Sequence, residues 1–288
     1  MRSFYDPTTE QLRRLSEPWT CSYSGGKDST TLVTWIEWLR RSGQLRCDRP
    51  CLVQSDTGVE DPGLMAVSAK LVNVLTASGW GCVMVKPRIN ERLYNRILGI
   101  GNTPVYPGIQ VIRWCSRSTK IDPMKRWRND NKGGLTLTGL RLGESAMRDA
   151  KILKRSSRAA GGECGIPAPD DTTYSPILNW SLCQVIDWLN GHVWKTVTSA
   201  MKDVFPITRE LLSIYDVRVI RDVFAFAEPE VEAARFGCIG CPAIAATSSA
   251  PKSSIARYGR ESPLIELYDV WFEARRFVNR CWKVGKRL

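Results

Sequence analysis

A β-favouring run, Trp19-Thr20-Cys21-Ser22-Tyr23, breaks at Ser24-Gly25-Gly26-Lys27-Asp28-Ser29. An apolar pattern of helical spacing then runs through Leu32, Val33, Trp35, Ile36 and Leu39 to Arg41. A strand feeding a helix through a glycine loop restricts the chain to few architectures. It also carries chemistry. Glycines let the backbone approach a ligand closely, and N–H groups at a helix start favour an anion. Lys27 adds a point charge, and Ser24 and Ser29 add hydroxyl donors. A plain Gly-Gly turn capped by Asp28 or Ser29 is the bland alternative, and Lys27 weighs against it.

The pattern repeats downstream. Cys51–Ser55 reads as a second strand closing on Asp56-Thr57-Gly58, Leu64–Ser78 as a helix ended by Gly79, and Gly81–Val85 as a third strand. Leu135–Leu140 reads as a fourth strand, and Val185–Leu189 as a short helix after Pro176-Ile177. Strands alternating with helices imply βαβ units, an α/β class and a mostly parallel sheet. After about residue 190 the alternation fades. Leu211–Phe226 and Leu264–Trp282 read as helices, with a small, polar loop over Ala245–Ser254. The expected division is an α/β domain over 1–190 and a mainly helical, cysteine-bearing part over 191–288.

Composition narrows the class. The 288 residues are 43% hydrophobic and 24% charged, which excludes a disordered tail, a collagen and a coiled-coil rod. No apolar stretch reaches the ~18 residues a membrane span needs. The N-terminal residues lack the apolar core of a signal peptide. A soluble, cytoplasmic protein without membrane partners is expected. His192 is the single histidine, which excludes multi-histidine metal sites. The ten cysteines are not expected to form a disulfide framework in such a compartment. The net charge of +12 is uneven. Arg113, Arg117, Lys120, Lys125, Arg126 and Arg128 form one basic run. Arg148, Lys151, Lys154, Arg155 and Arg158 form a second, and the last eighteen residues a third. Any one run reads as solvated surface; three on a basic chain point to a polyanion, most simply nucleic acid.

Ser24–Ser29 does not have the Walker A spacing. It resembles the PP-loop, S-G-G-x-D-S, of the ATP pyrophosphatase superfamily, whose members hold ATP phosphates in this loop and cleave between α and β. Three further segments narrow the likeness. Asp56-Thr57-Gly58 resembles the D-T-G element of the phosphoadenylyl-sulfate (PAPS) reductase branch. Gly139-Leu140-Arg141-Leu142-Gly143-Glu144-Ser145 with Arg148 resembles its G-x-R-x-x-E-S-x-x-R. Ser175-Pro176-Ile177-Leu178-Asn179-Trp180 resembles its P-I-x-x-W. The resemblance spans about residues 20–190. It implies an adenine-nucleotide α-hydrolase-like parallel sheet flanked by helices, with ATP and Mg2+ as ligands. It also implies that Ser24, Gly25, Gly26, Lys27, Asp28, Ser29, Asp56, Gly139 and Arg141 bind ATP, with Lys27, Asp28 and Arg141 catalytic.

Cys238-Ile239-Gly240-Cys241-Pro242 is a C-x-x-C whose two thiolates can share one metal or cluster. Cys115 and Cys164 flank polar or basic loops, whereas Cys21, Cys51, Cys82 and Cys183 sit in apolar patterns and read as core. Cys47 and Cys281 read as incidental. Four thiolates suit zinc or an iron–sulfur cluster, and spacing does not choose between them. Arg235-Phe236-Gly237-Cys238-Ile239-Gly240-Cys241 resembles the R-F-G-C-x-x-C stretch of the DndC-type proteins of bacterial DNA phosphorothioation, whose shorter SspD relatives match this chain in length. That likeness implies an iron–sulfur cluster, of the 4Fe–4S type, on Cys115, Cys238, Cys241 and Cys164, with zinc the alternative.

The expectation that follows is an enzyme that adenylylates a DNA backbone phosphate with ATP so that sulfur can replace AMP. A cysteine desulfurase and other phosphorothioation proteins would be its partners in a modification system used against phage. Arg113, Arg117, Lys120, Arg148, Lys151, Lys154, Arg155 and Arg158 would contact the DNA. A PAPS or APS reductase is the nearest rival. Glu163-Cys164-Gly165-Ile166 matches its catalytic motif, but Pro167 replaces the histidine and the motif lies mid-chain. A tRNA-thiolating PP-loop enzyme is the second rival. A non-enzymatic DNA-binding protein would suit the basic runs but has no use for Lys27 and Asp28 in a complete loop.

Overall fold

In the computed structural model, residues 12, 19–100, 114–131, 134–143, 149, 173–193 and 195–215 are described. The chain divides into two compact units. One comprises Met1–Ser55, Gly63–Val85 and Met124–Tyr215; the other comprises Asp56–Pro62, Lys86–Pro123 and Asp216–Leu288.

The first unit is built on a five-stranded sheet. Its strands are β1 (Trp19–Tyr23), β2 (Cys51–Ser55), β3 (Gly81–Val85), β4 (Leu135–Leu137) and β5 (Thr173–Tyr174). The spatial order is β3-β2-β1-β4-β5, and every pairing is parallel. Cys21 lies opposite Leu52 on one side and Leu137 on the other. The class is therefore the expected α/β one. β5 is too short to announce itself in sequence. The fourth strand stops at Leu137, three residues before its expected end. There the Thr138 N–H donates to the Tyr174 carbonyl at 2.8 Å, and the two hydroxyls of Thr138 and Ser175 meet at 2.6 Å.

Helix α1 (Lys27–Arg41) follows β1, and α2 (Pro62–Ala77) leads into β3. Every residue of α1 from Ser29 to Leu39 is buried, so this helix is enclosed on all sides. Its polar residues are satisfied within that enclosure. The Thr31 and Thr34 hydroxyls donate to carbonyls one turn back, at 2.9 and 2.7 Å. Glu37 accepts from the Trp80 indole at 2.7 Å and pairs with Arg40 and Arg41. The second unit contains α3 (Leu93–Ile100), α4 (Trp114–Ser116), a π-helical stretch Arg117–Ile121, and the first residues of α5 (Asp122–Asp130).

Helices α6 (Leu182–Asn190), α7 (Lys195–Ala200) and α8 (Phe205–Ile214) complete the first unit. Ser181 and Gln184 form a reciprocal capping box at the start of α6. The Thr208 hydroxyl of α8 donates to the Leu189 carbonyl of α6 at 2.6 Å. Trp35, Trp180, Trp188, Trp38 and Phe205 meet edge-to-face, with centroids 5.5–6.4 Å apart. This aromatic cluster clamps α1, α6 and α8 together. Of the two late helices expected from sequence, Leu211–Phe226 overlaps α8, which begins earlier, at Phe205; the second, Leu264–Trp282, lies outside the described residues.

Candidate active site

In a parallel sheet, ligands are received at the carboxyl ends of the strands, where the strand order reverses. Here the reversal falls at β1, which lies between β2 and β4. The loop Ser24-Gly25-Gly26 leaves β1 at that end and enters α1 at Lys27. Gly25 has φ +75°, a conformation that side-chain-bearing residues rarely adopt, so the turn needs glycine there. Gly26 is the helix N-cap and has no side-chain cap. The Ser24 and Ser29 hydroxyls lie 3.0 Å apart, and the Ser29 hydroxyl also bonds the Gly26 carbonyl at 3.0 Å. The loop is thus closed by its own hydroxyls, with Ser24 exposed and Gly25 buried.

Asp28 joins the loop to the segment after β4. One carboxylate oxygen meets Lys27 Nζ at 2.8 Å, and the other accepts from Arg141 Nε at 2.5 Å. Arg141 is buried and donates a second bond to the Trp180 carbonyl at 3.1 Å. Burial raises the Asp28 pKa, but the charges and hydrogen bonds of Lys27 and Arg141 together outweigh it and hold the carboxyl below its ordinary value. Gly139 is required by contact. A Cβ there would lie 2.8 Å from the Asp28 carbonyl carbon and oxygen and from Ser29 Cα. The Leu142 N–H donates to the Leu178 carbonyl at 2.9 Å, which ties the arginine segment to Ser175–Trp180.

The first unit therefore brings together Ser24, Gly25, Gly26, Lys27, Asp28, Ser29, Gly139 and Arg141 of the expected ATP-binding residues. The Ser175–Trp180 segment is what holds Arg141 in place. Asp56, in the second unit, follows β2 directly, accepts the Gly58 N–H at 2.9 Å and pairs with Lys86 at 3.6 Å. Sequence reasoning missed Tyr215, whose hydroxyl accepts the Lys27 N–H at 3.2 Å across 188 residues of chain. No local signal marks it.

Among the described residues, no three His, Cys, Asp or Glu side chains gather as a metal-holding group. Magnesium keeps most of its waters and binds largely through substrate phosphates, so the loop fits an ion delivered on a triphosphate rather than one held by Asp28, whose two oxygens pair with Lys27 and Arg141. Of the expected cluster ligands, Cys115 lies half-buried at the start of the helical stretch, its carbonyl accepting from Ser118 and Thr119. Cys164, Cys238 and Cys241 lie outside the described residues. Cys21 is a core thiol: burial, then the neighbouring Cys47 and Cys51, push its pKa well up. Cys51 is half-buried, and its pKa is raised by burial and then by Cys82. Cys47 is buried rather than incidental.

Among the expected DNA-contacting residues, Arg117 is exposed and lies 3.6 Å from Asp122. Lys120 pairs with Glu60 at 3.1 Å within the second unit. Arg113, Arg148, Lys151, Lys154, Arg155 and Arg158 lie outside the described residues. Among the described residues, no helix is long and apolar enough to cross a membrane.

No protein-family model matches the sequence, and no curated protein sequence does. Several solved structures resemble it, a reductase and a thiolase among them. PAPS reductase from Candida auris, in a phosphate complex, is 15% identical over 67% of this chain and 87% of its own, at a TM-score of 0.40. The U34-tRNA thiolase NcsA from Methanococcus maripaludis, solved with its 4Fe–4S cluster, is 13% identical over 80% of this chain and 82% of its own, also at 0.40. At such values the reading of the site stands on this chain's own residues.

Proposed function

We propose that the chain is a PP-loop ATP pyrophosphatase that activates a DNA backbone phosphate for sulfur incorporation. The observation that carries the reading is the loop itself. Ser24–Ser29 leaves β1 at the strand-order reversal, opens α1 without a side-chain cap, and presents Lys27 beside an Asp28 neutralised by Arg141. The helix start and Lys27 attract the β and γ phosphates. Asp28 fixes Lys27 at the loop, and Arg141 fixes Asp28. A non-bridging phosphate oxygen of DNA attacks the α-phosphorus, the bond to the bridging oxygen breaks, and pyrophosphate leaves from the loop. A cysteine desulfurase partner supplies persulfide sulfur, a cellular dithiol reduces it by two electrons to sulfide and is itself oxidised to the disulfide, and the sulfide displaces AMP at the DNA phosphorus.

An iron–sulfur cluster on Cys115, Cys164, Cys238 and Cys241 belongs to the same reading, supported by the C-x-x-C, the single histidine and the resemblance of Arg235–Cys241. When bound it would supply sulfur or electron chemistry that side chains lack. The charge of +12 and the three basic runs support a polyanionic substrate.

The test uses a host carrying the whole gene neighbourhood, with Lys27→Ala or Cys238→Ser in this protein. DNA is digested and searched by mass spectrometry for phosphorothioate dinucleotides, which should vanish in both variants. If they persist while tRNA thiolation or sulfite production is lost, the substrate is a tRNA or a sulfonucleotide instead.

A further inference from the structure

The Tyr215 hydroxyl engages a backbone donor at the start of α1, in the loop read as the phosphate site. It accepts the Lys27 N–H at 3.2 Å. That N–H is the first of α1, one of the donors a helix start leaves without an intrahelical partner and offers to anions. Gly26 provides no side chain to cap it, and a Cβ on Gly26 would lie 3.4 Å from the phenol oxygen. Lys27 Nζ lies 5.8 Å from the ring centroid, so the same residue touches both the backbone donor and the charged end of Lys27. Placement is firm. Tyr215 ends α8, its N–H donates to the Leu212 carbonyl at 3.0 Å, and Leu211, Leu212 and Ile214 are buried beneath it.

A phenol is a neutral acceptor and a phosphate oxygen a charged one. Charge-assisted hydrogen bonds are about twice as strong as neutral ones. An anion that reached the Lys27 N–H would therefore outcompete the phenol for it.

We propose that Tyr215 is an internal competitor for the phosphate site, holding the Lys27 N–H until a phosphate oxygen of ATP takes it and reclaiming it as pyrophosphate departs. This rests on the reading of the loop as a triphosphate site. It makes Tyr215 a positioning residue that limits affinity for the product.

The experiment is calorimetric titration of the full chain with inorganic pyrophosphate and with magnesium ATP, for wild type, Tyr215→Phe and Lys27→Ala. Tyr215→Phe keeps the ring and removes the acceptor, so it should bind pyrophosphate about three- to tenfold more tightly, the value of one neutral hydrogen bond. Lys27→Ala should bind both ligands more weakly. In wild type, pyrophosphate should also perturb the tyrosine ultraviolet absorption band, and Tyr215→Phe should abolish that signal. Unchanged or weaker pyrophosphate binding by Tyr215→Phe overturns the proposal, as does wild-type binding without a tyrosine perturbation. Wild type binding neither ligand overturns the phosphate-site reading itself, and the competitor with it.

Discussion

Asp28 stands between two cations, Lys27 at 2.8 Å and Arg141 at 2.5 Å, and gives the site a net positive charge while fixing where it sits. Asp28→Asn leaves the buried Arg141 without its counter-charge, which should cost about 3 kcal/mol of stability. The pH dependence has a defined sign. A carboxyl whose folded pKa is lowered adds stability that is fully present above the ordinary aspartate value of about 3.9 and is lost as pH falls through the lower folded value. Thermal midpoints of wild type and Asp28→Asn should therefore differ most above about pH 4 and converge below it. A gap that persists at lower pH would assign the loss to packing. At this scale the loop was legible in sequence because its residues are contiguous. Arg141 was legible only through a motif. Tyr215 was not legible at all, because its role depends on α8 delivering a side chain to a loop 188 residues away.

Between elements, the segment that follows β4 meets the start of α1 closely. Gly139 lies so close to Asp28 and Ser29 that a Cβ would sit 2.8 Å from their backbone atoms. Gly139→Ala should destabilise the chain by about 1–3 kcal/mol through overpacking, measurable by urea denaturation, and should displace the helix start. ATP turnover should then fall more than the stability loss explains; turnover at wild-type level would separate this contact from the site. The elements that sequence revealed are those with apolar runs or helical period: β1, β2, β3, α1 and α2, with β4 from its first residue and the middle of α6. The later strands were harder for physical reasons. β4 and β5 are three and two residues long and owe their pairing to neighbours rather than to their own composition. The run from α4 through the π-helical stretch to α5 carries Arg117, Lys120, Lys125, Arg126 and Arg128 and buries little beyond Ser118, Thr119 and Pro123, so no apolar period announces it.

Over the whole molecule the net charge of +12 is the feature that bears on the partner. If about five phosphates are neutralised, log K for duplex DNA should fall with log salt at a slope of about −4. Reversing Arg155 and Arg158 to Glu should flatten that slope, whereas Lys120→Gln should change it less, because Lys120 pairs with Glu60. Salt-independent affinity would remove DNA as the polyanion. The reaction at the loop is read most directly from its products. The chain is incubated with α-labelled ATP, magnesium and duplex DNA, and the nucleotides are separated by chromatography. A pyrophosphatase yields labelled AMP, free or on DNA, with pyrophosphate, at a rate reduced about 10- to 100-fold in Lys27→Ala, as expected for one charged hydrogen-bonding group. Release of ADP and orthophosphate, or an unaffected Lys27→Ala variant, would contradict it.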